Sequence, residues 1–312
     1  MHFFLQRSFY VLTRAATSNT LQAILKLTRW QEFWAFTSIL TWLGGLLAYE
    51  VRGATLDWRL FVVFIANMSA MAYAFMINDI EDAVDDTHDP DRARRNPISS
   101  GELSKKVGWT ASIIMFAMSA ICYALAGWRA FIVGAVILIL AHLYSWHLVR
   151  LKARPLVDIL SHAMFLSTLL FLAAFFIYTT HIGYLWTMVL GTFLISAYGQ
   201  LYNQVRDYEA DRAAGLHNTA SVLGLRITQI LAPASVVGAL LGFLATILMG
   251  AFPIWLLPVL IVTIVVVHIA LRNVKTDMRG SETDDNIALV QREFLTVVNT
   301  LMLVWLIVAL VS

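Results

Sequence analysis

Residues 58–86 read WRLFVVFIANMSAMAYAFMINDIEDAVDD. The stretch Trp58–Asn78 is almost wholly apolar, whereas Asp79, Glu81, Asp82, Asp85 and Asp86 crowd the end. About 20 mostly apolar residues are enough for a helix to cross the hydrocarbon core of a bilayer. The segment therefore reads as a transmembrane helix that runs on into an acid-rich extension. Eight further stretches have the same apolar character: Phe33–Tyr49, Val107–Gly127, Ala130–Val149, Leu156–Thr179, Tyr184–Asn203, Thr228–Gly250, Phe252–Leu271 and Phe294–Val311. The expectation is an all-α, polytopic membrane protein, a bundle of about nine transmembrane helices. Composition agrees. Of the 312 residues, 59% are hydrophobic and 13% charged, against about 25% charged in soluble domains. Mean hydropathy is +0.73.

The connections alternate in charge. Nineteen of the 22 Lys and Arg fall in the N-terminal segment and every second loop, and three fall on the other side. The positive-inside rule then places the N-terminus and the long loops in the cytoplasm. Residues 1–32 read as a cytoplasmic, interfacial segment without a secretory signal, and 33–312 as one transmembrane domain. This topology implies a multi-pass protein of the cell inner (plasma) membrane with its acidic loops facing the cytoplasm. A net charge of +2 gives no basis for a nucleic-acid partner. Cys122 is the only cysteine, so an intrachain disulfide is excluded, and its apolar setting suits packing.

The acids are concentrated. Eleven of the 20 lie in two loops, from Asp79 to Glu102 and at Asp207, Glu209 and Asp211. Both clusters contain Asn-x-x-x-Asp-x-x-x-Asp: Asn78, Asp82, Asp86 and Asn203, Asp207, Asp211. A spacing of four puts these side chains on one helical face, a turn apart. Stacked carboxylates at a membrane boundary repel one another unless positive charge sits among them. Oxygen-only donors favour Mg²⁺, Mn²⁺ or Ca²⁺ over zinc or copper. Magnesium commonly completes its shell with phosphate oxygens. Two acidic helix ends at a membrane surface thus suggest a lipid-linked diphosphate held through metal ions. The plainer alternative is a solvated loop whose acids pair with Arg92, Arg94, Arg95, Arg206 and Arg212; the repeated spacing weighs against it. The run Glu282–Asp285 lacks that spacing from a span end and reads as a solvated tether.

Asn78-Asp79-x-x-Asp82-x-x-x-Asp86 resembles the first aspartate-rich motif of the UbiA superfamily of intramembrane prenyltransferases, and Asp207-x-x-x-Asp211 resembles the second. Arg95-Asn96-Pro97 through Gly101, Tyr144-Ser145 followed by Lys152, and Arg29 before the first span are similar to accessory family segments. Three departures stand out: Asn96 separates Arg95 from Pro97, Trp146-His147 follow Tyr144-Ser145, and Arg206 precedes Asp207 where Lys is common. The resemblance implies Mg²⁺-dependent transfer of a prenyl group from an isoprenoid diphosphate to a lipophilic or aromatic acceptor. It assigns Asp79, Asp82 and Asp86 to one metal group and Asp207 and Asp211 to the other, with two Mg²⁺ ions. Lys152, Arg95 and Arg29 become diphosphate partners, and Asn78 and Asn203 neutral ligands or orienting groups. Arg206, Tyr144, Tyr198 and Asn67 join them as substrate-binding candidates.

Phosphoribosyl transfer to a polyprenyl phosphate and terpene cyclisation are related alternatives. A transporter for divalent cations or anionic lipids is the rival of another class. A transport site would place polar groups near the midplane, whereas these acids sit at span ends. Asp158, close to Lys152 and Arg154, reads as an ion-pair partner. His142 and His147 are candidates near the acceptor.

Overall fold

The computed structural model describes residues 19–213, 215–272 and 285–312. Arg7, Arg14, Glu282 and Asp284 lie outside the described residues. Among those described there is no strand. Helix α1 covers 19–28, followed by α2 (Trp30–Arg52), α3 (Trp58–Asp86), α4 (Pro90–Arg95), α5 (Lys105–Ala126) and α6 (Trp128–Ser145). Next come α7 (Val157–Ala163), a π turn (Met164–Thr168), α8 (Leu169–Phe176) and α9 (Trp186–Arg206). The chain closes with α10 (Tyr208–Ala213), α11 (Thr219–Leu223), α12 (Leu225–Leu248), α13 (Leu256–Leu271) and α14 (Asp285–Val311).

Helices occupy all nine stretches expected from hydropathy. Six are long and apolar enough to cross a membrane: α3, α5, α6, α7 through α8, α12, and α14 from Gln291. Helix α13 has only 16 residues. Helices α2 and α9 are long enough but carry more polar residues. Those residues point inward: Thr37, Ser38 and Thr41 on α2 and Thr192, Ser196, Gln200 and Gln204 on α9 are buried.

Local chemistry sets the ends. Asp57 caps α3 by accepting from the Arg59 N–H at 3.0 Å, and Ser104 caps α5. Pro90 starts α4, where its missing N–H costs nothing, and Asp89 caps it. Gly53 closes α2 in the left-handed region.

The core joins α2, α3, α6, α8 and α14 through Leu46, Met71, Ile77, Phe171, Phe175 and Trp305. The outer surface is apolar as well. Ile113, Ile132, Leu240, Val265 and Ile307 are exposed, as lipid-facing positions are. Without a hydrophobic drive between helices in lipid, close backbone approach matters more. Helix α12 lies against α9, and a Cβ on Gly242 would come within 2.7 Å of the Thr187 carbonyl oxygen. Gly242→Leu is expected to cost about 1–3 kcal/mol by overpacking. Thermal unfolding in detergent checks this, and a Tm equal to that of the wild type contradicts it.

Helix α1 turns its Ala23 and Leu27 onto Met76, Leu103 and Ala111 and leaves Leu21 and Leu25 exposed. Lys26 anchors it, donating to the Arg94 carbonyl at 2.9 Å and to Glu102 at 2.7 Å. The chain then reverses at Arg29, whose φ is 50°. That turn aims Arg29 at the end of α3.

Candidate active site

Helix α3 continues without a break to Asp86, so the first motif keeps its helical spacing beyond the apolar stretch. Asn78 Oδ1 accepts from Ser145 Oγ at 3.1 Å and Lys152 Nζ at 3.0 Å. Lys152 also pairs with Asp82, and Arg150 lies 3.5 Å from the same carboxylate. Arg150 further holds Asp85 at 2.8 Å. Glu81 accepts from the His147 backbone N–H at 3.1 Å and contacts its ring Nδ1 at 2.9 Å. The short segment after α6 is thereby fastened to the first motif.

Asp79 is buried. Its Oδ1 accepts from Arg29 Nη1 at 3.2 Å, while its Oδ2 has no hydrogen-bond partner. Arg29 grips Glu32 with two bonds of 2.8 and 2.7 Å and lies 5.1 Å over the Phe75 ring. Burial opposes its charge, but Asp79 and Glu32 outweigh that and raise its pKa above the ordinary arginine value. Arg95 stands near the same acids without a direct pair. Burial and the neighbouring Arg29 push its pKa down.

Asn96 has a defined role. Its amide donates to the Asp79 carbonyl at 2.8 Å and to Asp86 Oδ2 at 2.9 Å. The residue that separates Arg95 from Pro97 therefore ties the loop back to the motif.

The second motif is built differently. Helix α9 ends at Arg206, and Asp207 is its C-cap. The Asp211 N–H still bonds the Asp207 carbonyl at 2.8 Å, so the one-turn relation survives the break. Arg206 holds Asp207 with two bonds of 2.9 Å. Asp211 Oδ2 accepts from Asn218 at 2.8 Å. Burial and Asp207 push the Asp211 carboxyl up, while Arg92, Asn218 and Lys152 pull it down. Lys152, bonded to the first motif, thus acts electrostatically on the second. Tyr144 lies near the end of α6, next to Ser145, which bonds Asn78. Its ring packs 5.3 Å from Phe165 and 6.0 Å from His162. Phe165 belongs to the π turn, a helix irregularity often found beside functional sites.

Several candidates lie elsewhere. Asn67 belongs to helix packing, not to the acid site. It is fully buried, donates to Thr41 Oγ1 at 2.7 Å and the Leu170 carbonyl at 3.1 Å, and accepts from Tyr123. Replacing it with Leu breaks three bonds and strands the buried Tyr123 hydroxyl, at about 1–3 kcal/mol. Asn67→Leu should lower Tm markedly, and an unchanged Tm would count against this packing role. Tyr198 packs 6.0 Å from Tyr202, and Asn203 is exposed and meets Asp207 only through its backbone carbonyl at 2.9 Å; neither side chain bonds the acids among the described residues. His142 bonds Tyr73 at 2.8 Å within the span. Among the described residues Asp158 makes no ion pair: it accepts from Gln204 and Thr219 in a buried knot. The residue that sequence reasoning missed is Asn218, seven residues beyond Asp211, where no motif marks it.

As placed, no three His, Cys, Asp or Glu side chains among the described residues cluster closely enough to hold one ion. The acids instead hold cationic side chains. The donor set still fits Mg²⁺, which takes one or two carboxylates and fills its shell from water and phosphate. The buried, unpartnered Asp79 Oδ2 is an oxygen left for such an ion.

The chain resembles known proteins along most of its length. It is 25% identical to digeranylgeranylglyceryl phosphate synthase of Pyrococcus horikoshii over 72% of this chain and 77% of that one. It is also 25% identical to lycopene elongase/hydratase of Corynebacterium glutamicum over 70% and 76%. Its fold matches a UbiA homologue from Archaeoglobus fulgidus, solved bound to GPP and Mg²⁺, with a TM-score of 0.68 at 22% identity over 93% and 100% of the two chains. A UbiA homologue from Aeropyrum pernix K1 matches with a TM-score of 0.66 at 18% identity, over 88% and 97%. The model of the UbiA prenyltransferase family covers residues 37–286. That span takes in both acidic motifs and Lys152 between them, and the chain belongs to the UbiA prenyltransferase family.

Proposed function

We propose that the protein transfers a prenyl group from an isoprenoid diphosphate to a lipophilic, non-aromatic acceptor at the cytoplasmic surface of the inner membrane. The observation that carries this reading is Lys152. It bonds Asn78 and Asp82 in the first motif, and its charge bears on Asp211 in the second. A part-buried lysine seated on two residues of the first motif supplies fixed positive charge where a metal-bound diphosphate would sit. Helices at all nine apolar stretches among the described residues and the nineteen-to-three division of Lys and Arg support nine spans with a cytoplasmic N-terminus. On this reading residues 33–312 form the single catalytic domain.

Asp79, Asp82 and Asp86 would supply the carboxylates of one metal group, one or two to an ion, and Asp207 and Asp211 those of the other, with two Mg²⁺ in all. Bound there, Mg²⁺ neutralises the charge that builds on diphosphate as its bond to the prenyl carbon breaks. Arg29 and Arg95 add fixed positive charge beside Asp79 and are placed to meet the outer phosphate. Lys152, held between Asn78 and Asp82, is placed to donate to a diphosphate oxygen as negative charge develops. Tyr144 and Phe165, packed 5.3 Å apart near the end of α6, are the aromatic rings proposed to face the prenyl carbon. Ring faces suit an allylic cation, and the surrounding apolar helices exclude water.

The acceptor class is drawn from the relatives. Their names specify a glyceryl phosphate lipid and a carotenoid, both non-aromatic. The Archaeoglobus fulgidus homologue was solved with GPP and Mg²⁺ bound. The test uses the protein in liposomes with radiolabelled prenyl diphosphates, Mg²⁺ and a membrane lipid extract. A prenylated lipid that forms only with extract is the expected product. A hydrocarbon formed without extract would favour cyclisation. Movement of Mg²⁺ across the liposome without any product would favour transport.

A further inference from the structure

The Asp158 carboxylate is completely buried, and no Lys, Arg or His pairs with it among the described residues. Such a group is costly unless donors surround it. Four do. Oδ2 accepts from Gln204 Nε2 and from the Thr219 backbone N–H, each at 2.7 Å. Oδ1 accepts from Thr219 Oγ1 and from the Ile159 N–H at 2.8 Å. Two further bonds lock the cluster. Thr219 Oγ1 accepts from the Leu156 N–H at 2.7 Å, and Gln204 Oε1 from the Ala220 N–H at 3.0 Å.

The positions of these partners give the cluster its meaning. Gln204 lies just before Asp207, and Thr219 follows Asp211 on the far side. The two flanks of the second acidic segment are therefore tied to one carboxylate on α7. Next to Thr219, Asn218 caps α11 by accepting from the Ser221 N–H at 2.9 Å. Its amide donates to Asp211 Oδ2 at 2.8 Å. A continuous path of bonds thus runs from Asp158 through Thr219 and Asn218 to the motif carboxylate. Upstream of Asp158 on the same connection, Lys152 is bonded to Asn78 and Asp82. The short connection from Lys152 to Asp158 consequently touches the first motif at one end and controls the second at the other.

We infer that Asp158 is a positioning residue that, with Gln204, Thr219 and Asn218, fixes where Asp211 stands relative to the first motif. The inference rests on the reading of both motifs as metal-binding. Groups that orient metal ligands typically influence affinity by about 10- to 100-fold.

The test titrates Mn²⁺ into the full-length protein in detergent and reads the free-ion paramagnetic resonance signal. Asn218→Ala removes the bond to Asp211 and leaves the buried carboxylate's partners in place. Thr219→Val removes the hydroxyl and keeps the backbone donor. Each is expected to weaken Mn²⁺ binding about tenfold, with turnover recovering at saturating metal. Thr219→Ser, which keeps the hydroxyl, is expected to bind Mn²⁺ as the wild type does. Asp158→Ala has the largest expected effect, and the two milder variants keep the test open should it fail to fold. If Asn218→Ala and Thr219→Val lower only Tm and bind Mn²⁺ as tightly as wild type, the positioning role is overturned. A wild-type protein that binds no Mn²⁺ would remove the metal reading and this inference together.

Discussion

Asp82→Ala is expected to leave a folded protein whose turnover falls about a thousandfold or more. Asp82 stands at the centre of the first motif, one helical turn from both Asn78 and Asp86. It receives Lys152 and Arg150 together. Its removal takes away an anionic oxygen donor proposed for Mg²⁺ and releases Lys152 from the first motif. Loss of one preorganised electrostatic group from an active site typically costs 10²–10³ in rate, and this change removes two functions at once. Some stability is lost as well, because the Lys152 side chain is only 12% exposed and would keep only Asn78 as an acceptor. Asp82→Asn separates the two effects. It keeps the shape and an acceptor for Lys152 but not the charge, so Tm should stay near wild type while activity falls as in the alanine variant. Initial rates of diphosphate release and a melting curve on each variant are sufficient. Either variant working within threefold of wild type would remove Asp82 from the metal set.

Lys152→Ala is expected to lower turnover about a hundredfold. Lys152 is a point charge on a flexible stem, seated between Asn78 and Asp82. A Lys152→Arg variant brings a planar fork that cannot reproduce that seat, and it should recover little activity. Without the lysine, Asp82 and Asp211 lose a shared positive neighbour. The concentration of prenyl diphosphate needed for half-maximal rate should therefore rise along with the loss in rate. Full activity in Lys152→Ala would show that metal ions alone handle the diphosphate.

How far the sequence foretold this arrangement depended on the range of the interactions. The continuation of α3 beyond its apolar stretch was readable because Asn78, Asp82 and Asp86 repeat at the helical spacing directly after a span, and a continuing helix puts them on one face. The same spacing at Asn203, Asp207 and Asp211 foretold a second acidic face. It did not show that α9 stops at Arg206, since no glycine or proline marks the break. Asn67 could not be placed from sequence for a general reason. A polar residue inside a span is costly whether it serves a substrate or a neighbouring helix, and only its partners Thr41, Tyr123 and Leu170 distinguish the two. Asp158 was legible as an unusual acid, and nearby Lys152 and Arg154 offered the obvious partners. Its actual partners, Gln204 and Thr219, lie 46 and 61 residues away and meet it only through the packing of α7, α9 and α11. Asn96 shows the converse. As a departure from the family pattern it looked like a variation in the loop, yet it ties Asp79 to Asp86.

The most direct test of the central claim, that the two acidic motifs together handle a metal-bound prenyl diphosphate, is diphosphate release from the purified protein in detergent. Prenyl diphosphates of several chain lengths would be supplied with a lipid extract, first with Mg²⁺ and then after its removal by chelation. The account predicts release that requires Mg²⁺, is restored when the ion is returned, and is lost in both Asp82→Ala and Asp207→Ala. Release that persists without any divalent ion, or that survives the loss of either motif, would contradict it.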